Sequence, residues 1–241
     1  MHNNKNFKHR YLPAFFASLS TLGLSAMAEA EIMLYDKDQT TFSTDGYVNA
    51  FYVNSDVDRA GEQYDRRQSR VKMGFLPNYL GFNMGKQVDD LKLGARASFW
   101  VTINDSETNG TDTAIDVRQF YGTVANPQWG EVLIGKDFGL FARSNILLDE
   151  LLAGYGQVSD TLGLVDGGGV SFGNIGTGYP YPFPTSQITY RTPVMDGLRV
   201  AVGIMDPVAT NDSSPTGKAY QENPRTESEI TLFDPGRRVN I

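Results

Sequence analysis

From residue 46 onward the chain alternates amphipathic strands with connections that are short, long, short, long. Tight turns fall at residues 87–90, 126–130 and 193–197. Polar, Gly- and Asp-rich loops fall at 54–65, 104–113, 138–184 and 206–223. In an antiparallel meander successive connections lie at opposite rims, so this rhythm puts the tight turns on one rim and the long loops on the other. A barrel that crosses a membrane with its loops on one side has that asymmetry.

The clearest strand is Leu91–Val101. Leu91, Leu93, Ala95, Ala97, Phe99 and Val101 share one face; Lys92, Gly94, Arg96, Ser98 and Trp100 share the other. Eleven alternating residues are long for a soluble strand and match the ~9–11 that cross a bilayer at a tilt. Residues 69–75 set Val71, Met73 and Phe75 against Arg70, Lys72 and Gly74, bend at Pro77 and resume through Leu80, Phe82 and Met84. Residues 115–124 put Val117 and Tyr121 opposite Asp116, Arg118 and Gly122. Ile188 and Tyr190 oppose Gln187, Thr189 and Arg191; Leu198, Val200, Val202 and Ile204 oppose Arg199, Ala201 and Gly203. Ile230 and Leu232 oppose Glu227, Glu229 and Thr231, and residues 47–53 and 132–136 complete eight strands. In a water-soluble sandwich the apolar face is the inside; in a membrane barrel it is the outside and the charged face lines the lumen. Periodicity alone does not choose between them. Aromatics near strand ends (Tyr47, Tyr52, Phe75, Phe99, Tyr121, Tyr190 and Phe233) suit interfacial girdles, and Gly74, Gly94 and Gly122 are read as inward-facing.

The N-terminus favours the barrel. Lys5, Lys8 and Arg10 precede a mostly apolar stretch from Leu12 to Leu24 and a small-x-small site at Ala26-Met27-Ala28. This is the pattern of a secretory signal peptide over residues 1–28, too short and too rich in Ser and Thr to span a membrane. Its removal leaves 18 basic and 28 acidic residues, a net charge of −10, which argues against nucleic acid as a partner. There is no cysteine, and both histidines, His2 and His9, lie in the signal. Histidine triads, histidine metal sites and thiolate sites are therefore excluded in the exported chain, and no cofactor is implied. No serine sits in a nucleophile elbow, the acid pairs Asp89-Asp90 and Asp149-Glu150 read as solvated turns, and the Gly-rich stretch 166–178 lacks the lysine of a phosphate loop. An enzyme is not indicated.

The connection 138–184, roughly 47 residues, is longer than a compact domain normally tolerates without a function for it. Its Ile146-Leu147-Leu148 and Leu151-Leu152 flank Asp149-Glu150, and Asp160 and Asp166 follow in the Gly-rich part. A segment folded into a lumen would bury such leucines against the wall and present its acids to the opening.

Four stretches, SRVKMGF (69–75), RQFYGTVANPQWGEVLIGKDFG (118–139), SQITYRTPVMDGLRVAVGI (186–204) and PRTESEITLF (224–233), together resemble the trimeric general porins of Gram-negative outer membranes, in order and in spacing. The resemblance implies an all-β, antiparallel up-and-down transmembrane β-barrel in the outer membrane, with a long third loop inserted in a water-filled channel for ions and small hydrophilic solutes. It also implies a homotrimer, contact with outer-membrane lipid and handling by the barrel assembly machinery. In that family loop acids face a cluster of wall arginines. By position Arg70, Arg118 and Arg191 match those arginines, with Lys136 and Arg96 as further basic positions; Asp149, Glu150, Asp160 and Asp166 are the candidate acids. The bland alternative for each arginine is a structural ion pair, and a non-conducting structural or adhesive barrel is the competing function.

Eight strands amount to half of a sixteen-stranded porin. The expectation is therefore the N-terminal part of a porin barrel over residues 29–234, with an atypical tail at 235–241 and a chain that does not close a pore by itself.

Overall fold

The computed structural model describes residues 31–57, 66–74, 76–103, 115–141, 143, 184–207 and 223–233. The described chain is almost entirely β. Its strands are β1 (Ile32–Lys37), β2 (Thr40–Tyr47), β3 (Phe51–Val57), β4 (Arg66–Lys72), β5 (Asn78–Val88), β6 (Leu91–Val101), β7 (Ile115–Asn126), β8 (Gly130–Phe138), β9 (Pro184–Arg191), β10 (Leu198–Met205) and β11 (Arg225–Leu232). Nine of them form one antiparallel meander in the order β1-β2-β5-β6-β7-β8-β9-β10-β11, and β3 pairs with β4 in a second, two-stranded sheet. The sheet is open, a partial barrel.

The two-stranded sheet prolongs the β2–β5 hairpin. Pairing runs from Thr40↔Lys86 to Tyr47↔Tyr79, breaks over residues 48–50 and 73–77, and resumes from Phe51↔Lys72. Asn49 stitches the break. Its Nδ2 donates to the Leu76 carbonyl at 2.8 Å, its Oδ1 accepts from the Gly74 N–H at 2.5 Å, and its own N–H donates to Asn78 Oδ1 at 2.5 Å. Pro77, which has no N–H to give a ladder, sits inside this break, so the bend expected there is where two strands separate. The break also buries Met73, which the alternation had grouped with exposed Val71.

Three corrections follow. The strand read over 47–53 is β2 followed by β3, β2 starts at Thr40, and β1 precedes it, so nine strands cross the main sheet rather than eight. The ladder between β6 and β7 slips between Ser98 and Phe99, where Ser98 pairs with Gln119 but Phe99 with Val117. This bulge leaves Val117 outward but turns Tyr121 inward and Gly122 outward, reversing the faces expected for the last two. Of the aromatics expected at an outer girdle, Tyr52, Phe99 and Tyr190 are exposed. Tyr47 and Tyr121 instead share the inner face with Asp45 and Arg96 respectively. Phe75 lies outside the described residues.

The short–long rhythm holds. Asp38 and Gln39 (φ 51° and 57°) and Asp196 and Gly197 (φ 51° and 81°) form two-residue turns in the left-handed conformation that matches strand twist. With the 89–90 and 127–129 turns they lie at one rim, and the connections 58–65, 104–114, 139–183 and 206–224 leave from the other.

The two faces of the sheet are inverted relative to a water-soluble protein. One row across neighbouring strands reads Met84, Ala95, Gly122, Ile134, Ile188, Ile204. Its large members are about half exposed, with Ile134 at 60% and Ile188 at 51%. The row one residue along reads Ser43, Asn83, Arg96, Tyr121, Gly135, Gln187, Met205, and each of these is buried or half-buried. Burying polar groups while exposing isoleucines lowers free energy only when the outer medium is apolar. An Ile188→Arg variant is therefore expected to lose about 2–4 kcal/mol of stability in lipid, measured by urea titration of protein refolded into vesicles. A loss within about 0.5 kcal/mol, ordinary for an exposed residue in water, would mean that this face meets solvent.

Candidate pore-lining site

Alternation along each strand delivers one polar chain across the concave face. On β6 the odd residues point out, so Arg96, Ser98 and Trp100 point in. Arg96 grips Asp45 of β2 with two nitrogens, at 2.6 and 3.0 Å, donates to Asn83 of β5 at 2.6 Å and, through Nε, to Gln119 of β7 at 2.8 Å. Gln119 passes the chain on by donating to Asp137 of β8 at 2.8 Å, and Arg143 closes it with a 2.9 Å ion pair to the other Asp137 oxygen. The Asp45 and Asp137 side chains are only 4% and 1% exposed, so each needs its guanidinium partner. Space is supplied by glycine: a Cβ at Gly81 would come within 2.5 Å of Asp45 and 2.9 Å of Arg96.

Arg143 belongs to the long connection after β8, not to the sheet. Burial works against its charge, but the Asp137 carboxylate more than compensates and raises its pKa above the ordinary value. Two neighbours bend the same way. The Phe141 N–H donates to Glu227 of β11 at 2.9 Å, and Leu140 is buried with Ala201 and Met205 of β10. Ala201 and Met205 lie on the inner face, opposite the exposed Val202 and Ile204. Residues 139–141 and Arg143 therefore lie against the inside of the wall.

A second cluster sits toward the long-loop rim. Arg118, placed at the β6–β7 bulge, is fully buried. Its Nε meets Asp116 at 3.0 Å and its guanidinium lies 4.8 Å over the Trp100 ring. Trp100 in turn stacks on Tyr79 at 4.5 Å and meets Phe138 edge-on at 6.2 Å. At the opposite end, toward the short turns, Arg191 pairs with Glu131 at 2.7 Å. Lys92, Arg191 and Arg199 share a basin there whose floor includes Gly94, Thr123 and Leu133.

Of the basic residues expected together, Arg96 and Arg191 line one basin. Arg118 is withdrawn into its aromatic stack, and Arg70 lies on β4, opposite Val53 in the separate hairpin sheet. Lys136 pairs with Phe120 and Ser186, both exposed, so the register puts it on the outer face and gives the inner position to Asp137. Asp149, Glu150, Asp160 and Asp166 lie outside the described residues. The reading from sequence missed Asp45, Gln119, Asp137 and Arg143, and with them the charges at Lys92, Glu131, Arg199 and Glu229. Val132-Leu133-Ile134 is unbroken apolar sequence, so the parity that would have singled out Asp137 was unreadable. Arg199, by contrast, was already on the polar side of a clean alternation.

A model of one family, described as Gram-negative porin, matches residues 16–228. No curated protein matches the chain. The inverted sheet, the asymmetric rims and the charged inner wall are what a channel-forming barrel requires, and the match covers nearly the whole sequence. The chain belongs to the Gram-negative porins, a family of outer-membrane channels and not of enzymes.

Proposed function

We propose that the protein is part of a water-filled channel for passive diffusion of ions and small hydrophilic solutes, narrowed where the third long connection folds against the wall. The observation that carries this reading is the placement of residues 139–141 and Arg143. Arg143 bonds to Asp137, Phe141 to Glu227, and Leu140 packs among inner-face residues of β10. A connection that leaves a strand and immediately turns onto the inner face is directed across the bore. Asp149, Glu150, Asp160 and Asp166 of that connection are its acids on the lumen side, facing Arg96, Arg143 and Arg191. Opposite fixed charges across a narrow wet passage set up a transverse field, which orients dipolar solutes and ranks ions by charge. No bond is broken and nothing is held tightly. Residues 1–28 are the export signal, removed in the periplasm; the working form is a homotrimer in outer-membrane lipid, placed there by the barrel assembly machinery.

Stepwise conductance in a planar bilayer is the expected behaviour of the closed barrel of which this chain forms part, and a folded, non-conducting barrel would sink the reading. Arg143→Gln leaves Asp137 without its cationic partner and weakens the loop anchor by about 2 kcal/mol. Combined with Glu227→Gln, it should enlarge each conductance step and make it noisier; unchanged steps would show that the connection does not narrow the bore. Arg191→Gln should move the reversal potential in a salt gradient toward cation preference. Arg118→Gln should not, because its side chain is wholly buried against the Trp100 ring, whereas Arg191 lines the open basin. An equal shift from both would remove the distinction drawn between them.

A further inference from the structure

The hollow at the short-turn end of the wall has a chemistry that the channel reading leaves unused. Along the inner face one cross-strand row reads Lys92, Ala125, Glu131, Arg191, Ala201, Glu229. The next inner row toward the long-loop rim reads Gly85, Gly94, Thr123, Leu133, Thr189, Gly203, three of them glycine and none charged. Beyond it comes the row of Arg96 and Tyr121. A belt of glycine and threonine between two charged rows makes a basin of about 450 Å³, the size of a small-solute site.

Five cations line the basin against three carboxylates, in a chain whose net charge is −7. Three of the cations are engaged: Arg96 with Asp45, Arg143 with Asp137, Arg191 with Glu131. Lys92 and Arg199 form no ion pair among the described residues. Arg199 is nonetheless held, with its guanidinium 5.1 Å from the Phe233 ring, and Lys92 is exposed. Two cations that border one hollow and have no carboxylate of their own are available to an incoming anion. The floor gives a neutral solute little to hold, since Leu133 is the one large apolar side chain of its glycine–threonine row.

We propose that this basin is a low-affinity docking site for small solutes bearing an oxyanion, carboxylate or phosphate, with Lys92 and Arg199 as the residues that select it. Arg199 offers a planar fork to two oxygens and Lys92 a point charge beside it. Exposure to water keeps each interaction weak, which suits a site that a permeating solute must leave. The role as a station in a channel rests on the porin reading; the binding itself does not.

The test uses the full chain refolded in detergent micelles at low ionic strength. Titrations with succinate, inorganic phosphate and the neutral analogue succinamide are followed by calorimetry or by chemical-shift changes. Succinate, phosphate or both should bind in the millimolar range, succinamide should not, and added salt should weaken binding. Response to one anion alone identifies the oxyanion that the basin takes. Lys92→Gln with Arg199→Gln should weaken binding roughly five- to tenfold, because it removes two water-exposed charges from the site, while Lys92→Arg with Arg199→Lys should retain it. Equal binding of succinamide, no binding of either anion, or no effect of the neutral double variant would overturn the proposal. Conductance of the same preparations separates the two readings. A conducting pore that ignores both anions removes the site alone; a non-conducting protein that binds them through Lys92 and Arg199 removes the channel alone.

Discussion

A backbone that passes through hydrocarbon has no water to complete its hydrogen bonds, so every N–H and C=O must find a partner within the fold. The meander meets that demand for the seven strands between β1 and β11, each of which has a partner on both sides, and the rest of the molecule follows from it. Once the ladder supplies the backbone bonds, the side-chain period of two is free to sort residues by medium. Met84, Ile134, Ile188 and Ile204 go to lipid; Asn83, Arg96, Tyr121 and Gln187 go to the lumen. The polar face can then hold charge at a density that the core of a soluble sheet would not tolerate, because water reaches the lumen and partners stand on adjacent strands.

Those partners are arranged as a chain rather than as isolated pairs. Asp45, Arg96, Gln119, Asp137 and Arg143 connect β2, β6, β7, β8 and the connection after β8 through bonds of 2.6–3.0 Å. Each inner member satisfies two neighbours, so the network fixes the geometry of the wall and of the segment that leaves it at once. The tight fit at Gly81 shows the same economy: a side chain there would displace the Asp45–Arg96 pair. The wall and the start of the long connection are thus one bonded unit.

How much of this could be read from the amino acids depended on whether polar and apolar residues alternate cleanly. On β6, β9, β10 and β11 they do, and the faces of Arg96, Thr189, Ala201 and Glu229 follow directly from the sequence. Ile32-Met33-Leu34-Tyr35 has no alternation and is exposed throughout, so β1 gave no periodic signal. The β6–β7 bulge is a property of two strands in register, not of either alone, so the reversal at Tyr121 and Gly122 has no local signature. Lys136 and Asp137 are adjacent, with opposite charges and opposite faces, and a run of three apolar residues before them erased the parity. Residue-by-residue likeness to a family found a basic position in that pair but chose the residue the register turns outward.

Arg118 and Arg199 show why position along a strand does not settle what a lumen charge does. Both are arginines on inner-face positions, and both lie near an aromatic ring. Arg118 is buried at a bulge, neutralised by Asp116 and pressed onto Trp100, so its charge is spent holding the wall together. Arg199 borders an open basin beside Lys92, with no carboxylate bound to it among the described residues. A fixed charge acts on a passing solute to the extent that its neighbours leave it uncompensated and water-accessible. The residues that shape traffic through such a wall are therefore those left over when its ion pairs are assigned, and these are set by tertiary pairing rather than by charge count.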